Sequence, residues 1–422
     1  MQDVVEKDIN LRNMYITTSK NNIYSYIRET NEIVNGIVND NDFKWIYTPL
    51  KSFTNMPEID MFILSITEQC NLRCTYCCYS GEYLNNRSHG TKKMTSKDID
   101  EIIKFIDKTS SKRPLLITFY GGEPLLQLKL IKYTIEKARE KWNNDVSFSI
   151  STNGTLLSYE IIEWFIKNNV RLAISLDGSA SFHDKYRIDI KGNGTFSKIY
   201  KMLLYINENH PEYVHSILFM MTLPSFESLE QIAKEWNEDD LLKDISPTMI
   251  NGLAPNFSKG VNVIEYEELK KQYLHLIDIY EKNPNWIVLK VFLNQCISYW
   301  KDRPILKVEG AVPMATCMPL NTKLYIDANL EIGVCEKFSD KYRIGNIKEG
   351  IDWDKANKIV QLYYDKRKEK CTLCSAVRMC DMCLTSVEYT DEQWDILCHN
   401  EQSYARIFMF VFCEMAERGL LT

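Results

Sequence analysis

Between Cys70 and Cys77 the chain sets three cysteines in the pattern C-x3-C-x2-C, within Glu68-Gln69-Cys70-Asn71-Leu72-Arg73-Cys74-Thr75-Tyr76-Cys77. The stretch follows an apolar run, Met61-Phe62-Ile63-Leu64-Ser65-Ile66, that reads as a buried strand. Thiolates this close together reach three corners of a four-iron cluster and leave the fourth iron without a protein ligand. An open iron holds and reduces a small molecule. The same spacing also allows three unrelated cysteines or a zinc site. Structural zinc wants a fourth ligand, and Cys78, adjacent to Cys77, is poorly placed to reach the same metal.

The rest of the composition narrows the setting. A chain of 422 residues is long enough for two or three domains with cores. Hydrophobic content of 45% and charged content of 26% describe a globular protein. A net charge of −6 without a long basic tract argues against nucleic acid as a partner. The start, Met1-Gln2-Asp3-Val4-Val5-Glu6-Lys7-Asp8, has no apolar core, so no signal peptide is expected. No apolar run approaches ~18 residues, so no membrane span is expected either. Thirteen cysteines without a secretion signal point to metal or redox work in a reducing cytoplasm.

Read in order, residues 1–57 form a small leading α+β extension. Asn13–Thr18 and Asn22–Ile27 look like two strands around a polar turn, and Glu32–Val38 like a short helix. From 58 to 255 strands and helices alternate. Strand candidates are Phe62–Thr67, Leu115–Tyr120, Ser147–Thr152, Leu172–Leu176, Ser216–Thr222 and a weaker one at Pro247–Ile250. Amphipathic helices such as Ser96–Lys108 and Leu126–Lys141 lie between them. Repeated βα units predict an α/β fold with a parallel sheet and catalytic groups at the C-terminal strand ends. The period alone allows a barrel or a doubly wound sheet. Residues 256–310 read as a helical bridge. In it Cys296 stands among Phe292, Leu293, Ile297 and Trp300, and reads as a buried small hydrophobe. Residues 311–422 hold a second set of cysteines, Cys317, Cys335, Cys371, Cys374, Cys380, Cys383 and Cys398, including CxxC-x5-CxxC. A hairpin is expected from Thr322, a closing helix over Tyr404–Leu421, and a solvated helix end at Lys366-Arg367-Lys368-Glu369-Lys370.

The first cysteine motif, with Tyr76 just before its last cysteine, resembles the signature of the radical S-adenosylmethionine (SAM) enzymes. Three further stretches follow successive strands as in that family: Gly121-Gly122-Glu123-Pro124, Ser151-Thr152-Asn153-Gly154, and Ser175-Leu176-Asp177-Gly178 with His183-Asp184-Lys185-Tyr186-Arg187. The resemblance implies a partial (β/α)6 TIM-like barrel. It implies a SAM-binding [4Fe-4S] cluster on Cys70, Cys74 and Cys77, and SAM contacts from Tyr76, Gly121, Gly122, Glu123, Ser151, Asn153, Ser175 and Arg187. Glu123 is expected to meet the amino group of SAM, and Arg187 its carboxylate.

The second cysteine set resembles the SPASM extension, which houses two auxiliary [4Fe-4S] clusters. By that pattern Cys371, Cys374, Cys380 and Cys398 hold one cluster, and Cys317, Cys335 and Cys383 belong to the other, which is left one ligand short. A pair of zinc knuckles is the other reading of this stretch. The chain departs from the pattern in ending CxxC rather than CxxxC, and in placing Leu330 where glycine is usual. Taken together, residues 60–400 resemble SPASM-type radical SAM maturases of ribosomally made, cysteine-rich peptides, the sactipeptide and ranthipeptide thioether-forming type. The implied substrate is a cysteine-containing precursor peptide, and the implied electron donor a flavodoxin or ferredoxin. A carbon–carbon cross-linking maturase and a formylglycine-forming sulfatase maturase are alternatives. For the latter, Glu336 follows Cys335 where that family has a catalytic Asp.

Overall fold

The computed structural model describes residues 13–39, 42–47, 49, 50, 52, 59–83, 85–110, 113–252, 263–303, 316–320 and 322–421. The three boundaries expected at 57/58, 255/256 and 310/311 lie outside the described residues.

Six strands, β4 (Met61–Thr67), β5 (Leu115–Gly121), β6 (Val146–Thr152), β7 (Val170–Ser175), β8 (Leu218–Leu223) and β9 (Met249–Gly252), pair in parallel in chain order. These are the six strands expected. Connections such as Ser96–Thr109, Leu128–Trp142 and Tyr159–Lys167 are helical. The first is started by a capping box, in which Thr95 accepts from the Asp98 N–H and Asp98 accepts from the Thr95 N–H. Its Ile99, Ile102, Ile103 and Ile106 recur at helical spacing and are buried in the core. β5 alternates buried and half-buried residues, whereas β4 is buried from Phe62 to Thr67. A strand covered on both faces reads as a continuous apolar run.

The sheet does not stop at β4. β10 (Lys323–Ile326), β11 (Glu331–Gly333), β12 (Arg343–Asn346) and β13 (Gly350–Ile351) extend it to ten strands, with β10 parallel to β4 in the register Lys323↔Met61. The cysteine-rich segment thus shares a sheet with the parallel strands. β10 and β11 form the expected hairpin. At its turn Leu330 takes φ +66°, the left-handed conformation that favours glycine. This costs about 1–2 kcal/mol. The Asp327 carboxylate, accepting from the N–H groups of Asn329 (2.8 Å) and Glu331 (2.9 Å), helps hold the turn.

Two expectations need correction. The segment expected to be a short helix at Glu32–Val38 contains a strand, β3 (Glu32–Asn35), which joins β1 (Met14–Thr17) and β2 (Ile23–Ile27) in an antiparallel sheet. The branched Ile33 and Val34 suit a strand, and one backbone pairing outweighs a weak helical period. The Lys366–Lys370 run does end a helix, Trp353–Lys370, but Arg367 is 1% exposed and not solvated.

The closing helix is longer than expected, Asp391–Glu417. It packs on the helices Tyr266–Lys282 and Ile287–Lys301 and on β1. Its buried Glu414 accepts from Ser19 N–H (2.7 Å) and Arg418 Nε (2.8 Å), which ties the leading hairpin to the end of the chain. Among the described residues no helix is long and apolar enough to cross a membrane.

Candidate active site

Parallel strands deliver their C-terminal ends to one rim, and the motifs sit there. The cysteine loop follows β4, Gly121-Gly122-Glu123 closes β5, and Ser151 and Ser175 stand half-buried at the ends of β6 and β7. The two glycines let backbone approach backbone. A Cβ on Gly121 (φ +145°) would lie 2.2 Å from the Thr67 carbonyl oxygen, and one on Gly122 2.1 Å from that of Gln69. The space is filled by hydrogen bonds from Gly122 N–H to Thr67 O and from Glu123 N–H to Gln69 O, both 2.8 Å.

Glu123 is fully buried. Its carboxylate accepts from Leu125 N–H (2.9 Å), the Thr152 hydroxyl (2.7 Å) and Asn153 N–H (2.8 Å). Burial nevertheless pushes its pKa up to about 7. The side chain therefore braces the β5 loop against the β6 loop and does not point free into a cleft. Asn153 donates to Asn71 Oδ1 (3.0 Å) and approaches Cys70 Sγ at 3.9 Å, while Asn71 donates to the Thr155 hydroxyl (2.8 Å). Arg187, also buried, is paired with Asp177 through Nε at 2.7 Å and Nη2 at 3.3 Å. Asp177 further accepts from Thr222 N–H (2.8 Å) and the Tyr76 hydroxyl. Tyr76 is thereby fixed beside the cysteine loop. Burial and the nearby Arg187 charge push the pKa of His183 down to about 3. The neutral ring takes the Asp177 N–H at 3.3 Å and meets the Thr195 hydroxyl at 3.1 Å.

Cys70, Cys74 and Cys77 are all half-buried, and Cys74 and Cys77 border an open cavity of about 430 Å³ together with Arg73, Tyr79 and His89. His89 Nε2 lies 3.6 Å from Cys77 Sγ. Burial raises the Cys70 pKa to about 12 and that of Cys74 to about 11, so a metal bound by these thiolates would displace protons.

The second set divides in two. Cys371, Cys374, Cys380 and Cys398 line one small cavity with Arg367, whose Nη1 is 3.5 Å from Cys380 Sγ. Among the described residues no three of His, Cys, Asp and Glu converge closely enough for one metal ion. Thiols spread around a shared cavity suit a cluster, whose irons sit at separate corners. Cys335 lies beside Glu336 and Lys323, whereas Cys317 and Cys383 are exposed. Cys296 is 2% exposed, and its thiol donates to Phe292 O at 3.5 Å inside its own helix. Burial alone would raise the Glu336 pKa, yet Lys323 at 3.4 Å and neighbouring donors hold it below the usual glutamate value. The Glu336 carbonyl oxygen accepts from the Tyr79 hydroxyl (3.2 Å) and Arg87 Nε (3.0 Å), which joins the cysteine-rich segment to the first cysteine loop.

Sequence reasoning passed over Asp177, His183 and Thr152, although each stood inside a quoted motif. Arg87 and His89 carried no sequence signal beyond residue type, and Arg367 stood in a run read as a solvated helix end.

Residues 64–235 match the Radical SAM superfamily. The cysteine-type anaerobic sulfatase-maturating enzyme of Clostridium novyi (strain NT) is 28% identical over 306 residues, 70% of this chain and 78% of that one. That of Clostridium perfringens (strain 13 / Type A) is 24% identical over 380 residues, 85% and 97% of the two chains. The solved structure of native anSMEcpe with bound AdoMet and Cp18Cys peptide has the same fold, with a TM-score of 0.61 at 20% identity, covering 86% of this chain and 99% of that one. A parallel sheet with its cysteine loop on the rim and the superfamily match over residues 64–235 mark that part of the chain as a radical SAM domain.

Proposed function

We propose that the chain is a peptide maturase that removes a hydrogen atom from a carbon of a cysteine-containing precursor peptide and joins that carbon to the cysteine sulfur as a thioether. When bound, a [4Fe-4S] cluster with SAM supplies the 5′-deoxyadenosyl radical for the abstraction, and auxiliary clusters supply acceptors for the electron released. Cys70, Cys74 and Cys77 hold the first cluster, and Glu123 and Asn153 keep the β5 and β6 loops at fixed separation around SAM. Gly121, Gly122, Ser151 and Ser175 line the rim where SAM binds. Asp177 orients Arg187 and Tyr76. Glu336, kept ionised beside Lys323, is the base that takes the proton from the substrate thiol.

The observation that carries the thioether product is the position of Cys296. Its thiol is committed to the core, so Cys317, Cys335 and Cys383 remain a set of three. Two of these three are exposed, and a cluster held by the three would have one iron without a protein ligand, open to a substrate thiolate. A second reading, formylglycine formation, is favoured by similarity over 97% of the length of a cysteine-type sulfatase-maturating enzyme.

Mass spectrometry of a candidate peptide after anaerobic turnover decides between them. Loss of two hydrogens with the sulfur retained supports the thioether. Loss of the sulfur with gain of an aldehyde supports formylglycine and overturns it.

A further inference from the structure

Arg367 stands in the last turn of the helix Trp353–Lys370, with 1% of its surface exposed. Nη1 donates to the Tyr363 hydroxyl (2.9 Å) and lies 3.5 Å from Cys380 Sγ, while Nη2 meets Val377 O at 3.4 Å. Nε is buried without any hydrogen-bond acceptor. No carboxylate among the described residues comes within ion-pair distance, although Glu401 borders the same cavity. A buried guanidinium without a counter-ion is strongly unfavourable. The negative end of the helix dipole, which Cys371 caps, offers only partial compensation. With Glu401 beyond ion-pair reach, the nearest source of negative charge is the ring of four cysteines around the cavity. Four thiolates around a four-iron core carry net negative charge, and reduction adds one more.

We propose that Arg367 is a positioning residue for the auxiliary site. Its fixed charge and its N–H bond to Cys380 raise the reduction potential of the cluster held by Cys371, Cys374, Cys380 and Cys398. This rests on the reading that these four cysteines hold a cluster. Taking up one electron brings the cluster one further negative charge, and the guanidinium already in place balances it without a proton moving. The backbone of the ligand loop is fixed from outside. Trp45 Nε1 donates to Cys374 O (2.8 Å), Trp45 N–H to Thr372 O (2.9 Å) and Arg28 Nη1 to Leu373 O (2.5 Å). A change in potential in an Arg367 variant therefore reports on charge and hydrogen bonding, with the loop geometry held.

The test is a potentiometric titration followed by electron paramagnetic resonance. It uses the full chain with Cys70, Cys74 and Cys77 replaced by Ala, so that only auxiliary signals remain. In Arg367→Gln the reduced-to-oxidised ratio at a fixed ambient potential should fall at least tenfold, a downward midpoint shift of about 59 mV for a one-electron couple. Arg367→Lys, which keeps the charge and loses the fork, should shift downward by less. A fully loaded Arg367→Gln with an unmoved midpoint overturns the proposal. If Arg367→Gln cannot hold iron, Arg367→Lys decides, and an unmoved midpoint there overturns it. Iron missing from the parent chain, or an iron content that Cys371→Ala and Cys374→Ala together leave unchanged, overturns the cluster reading instead.

Discussion

Around Cys70, Cys74 and Cys77 the thiols are half-buried beside a cavity of about 430 Å³, and the loop is anchored by backbone bonds to its neighbours. Around Cys371, Cys374, Cys380 and Cys398 the cavity is small, Cys371 and Cys380 are buried, and a guanidinium lies against Cys380. Both sites are short-spaced cysteine loops in the sequence. The first leaves room for a small molecule beside its cysteines. The second leaves none and sets a fixed positive charge against one of its cysteines. Spacing is alike at both sites, whereas the walls decide whether anything held there could meet a small molecule.

The most severe test of that contrast removes each set in turn. Replacing Cys70, Cys74 and Cys77 by Ala should abolish SAM cleavage and remove about four irons per chain. Replacing Cys371 and Cys374 should remove a similar amount, with deoxyadenosine still formed. Iron analysis and chromatography of the products check both, and deoxyadenosine formation that survives the first replacement breaks the comparison. A smaller effect is expected at the brace of the open site. Asp177→Ala leaves Arg187 buried and unpaired, and should destabilise the fold by about 3–5 kcal/mol, lowering the thermal midpoint. Unchanged melting would mean that the rim does not depend on this pair. The mildest variant is Cys296→Ala, which should keep full iron content and cost about 1 kcal/mol through lost packing. Loss of iron in that variant would make Cys296 a ligand, and the set of three exposed on one side would become a closed set of four.

Much of the frame was legible. The six parallel strands are branched or aromatic runs bounded by turn residues, and their helices carry apolar residues at helical spacing. The rim motifs were legible through a family resemblance, strengthened by their place after successive strands. What could not be read was direction. Glu123 is a carboxylate in a glycine turn whether it faces SAM or the Asn153 amide, and only the fold turns it inward. Arg187 could likewise serve a ligand or Asp177. Arg367 sits in a run of charge that looks solvated, and tertiary contact alone buries it. The pairing of β10 with β4 is a long-range contact with no local signature.

That pairing has a consequence for how the protein is made. Until β10 arrives, the outer side of β4 presents unpaired N–H and C=O groups on an almost wholly apolar strand, a template for aggregation. Lys323 pairs with Met61 from 262 positions downstream, a gap that takes roughly 10–50 s at ribosomal speeds of about 5–20 residues/s. During that interval the nascent chain already carries the first cysteine loop but lacks the strand that closes its sheet.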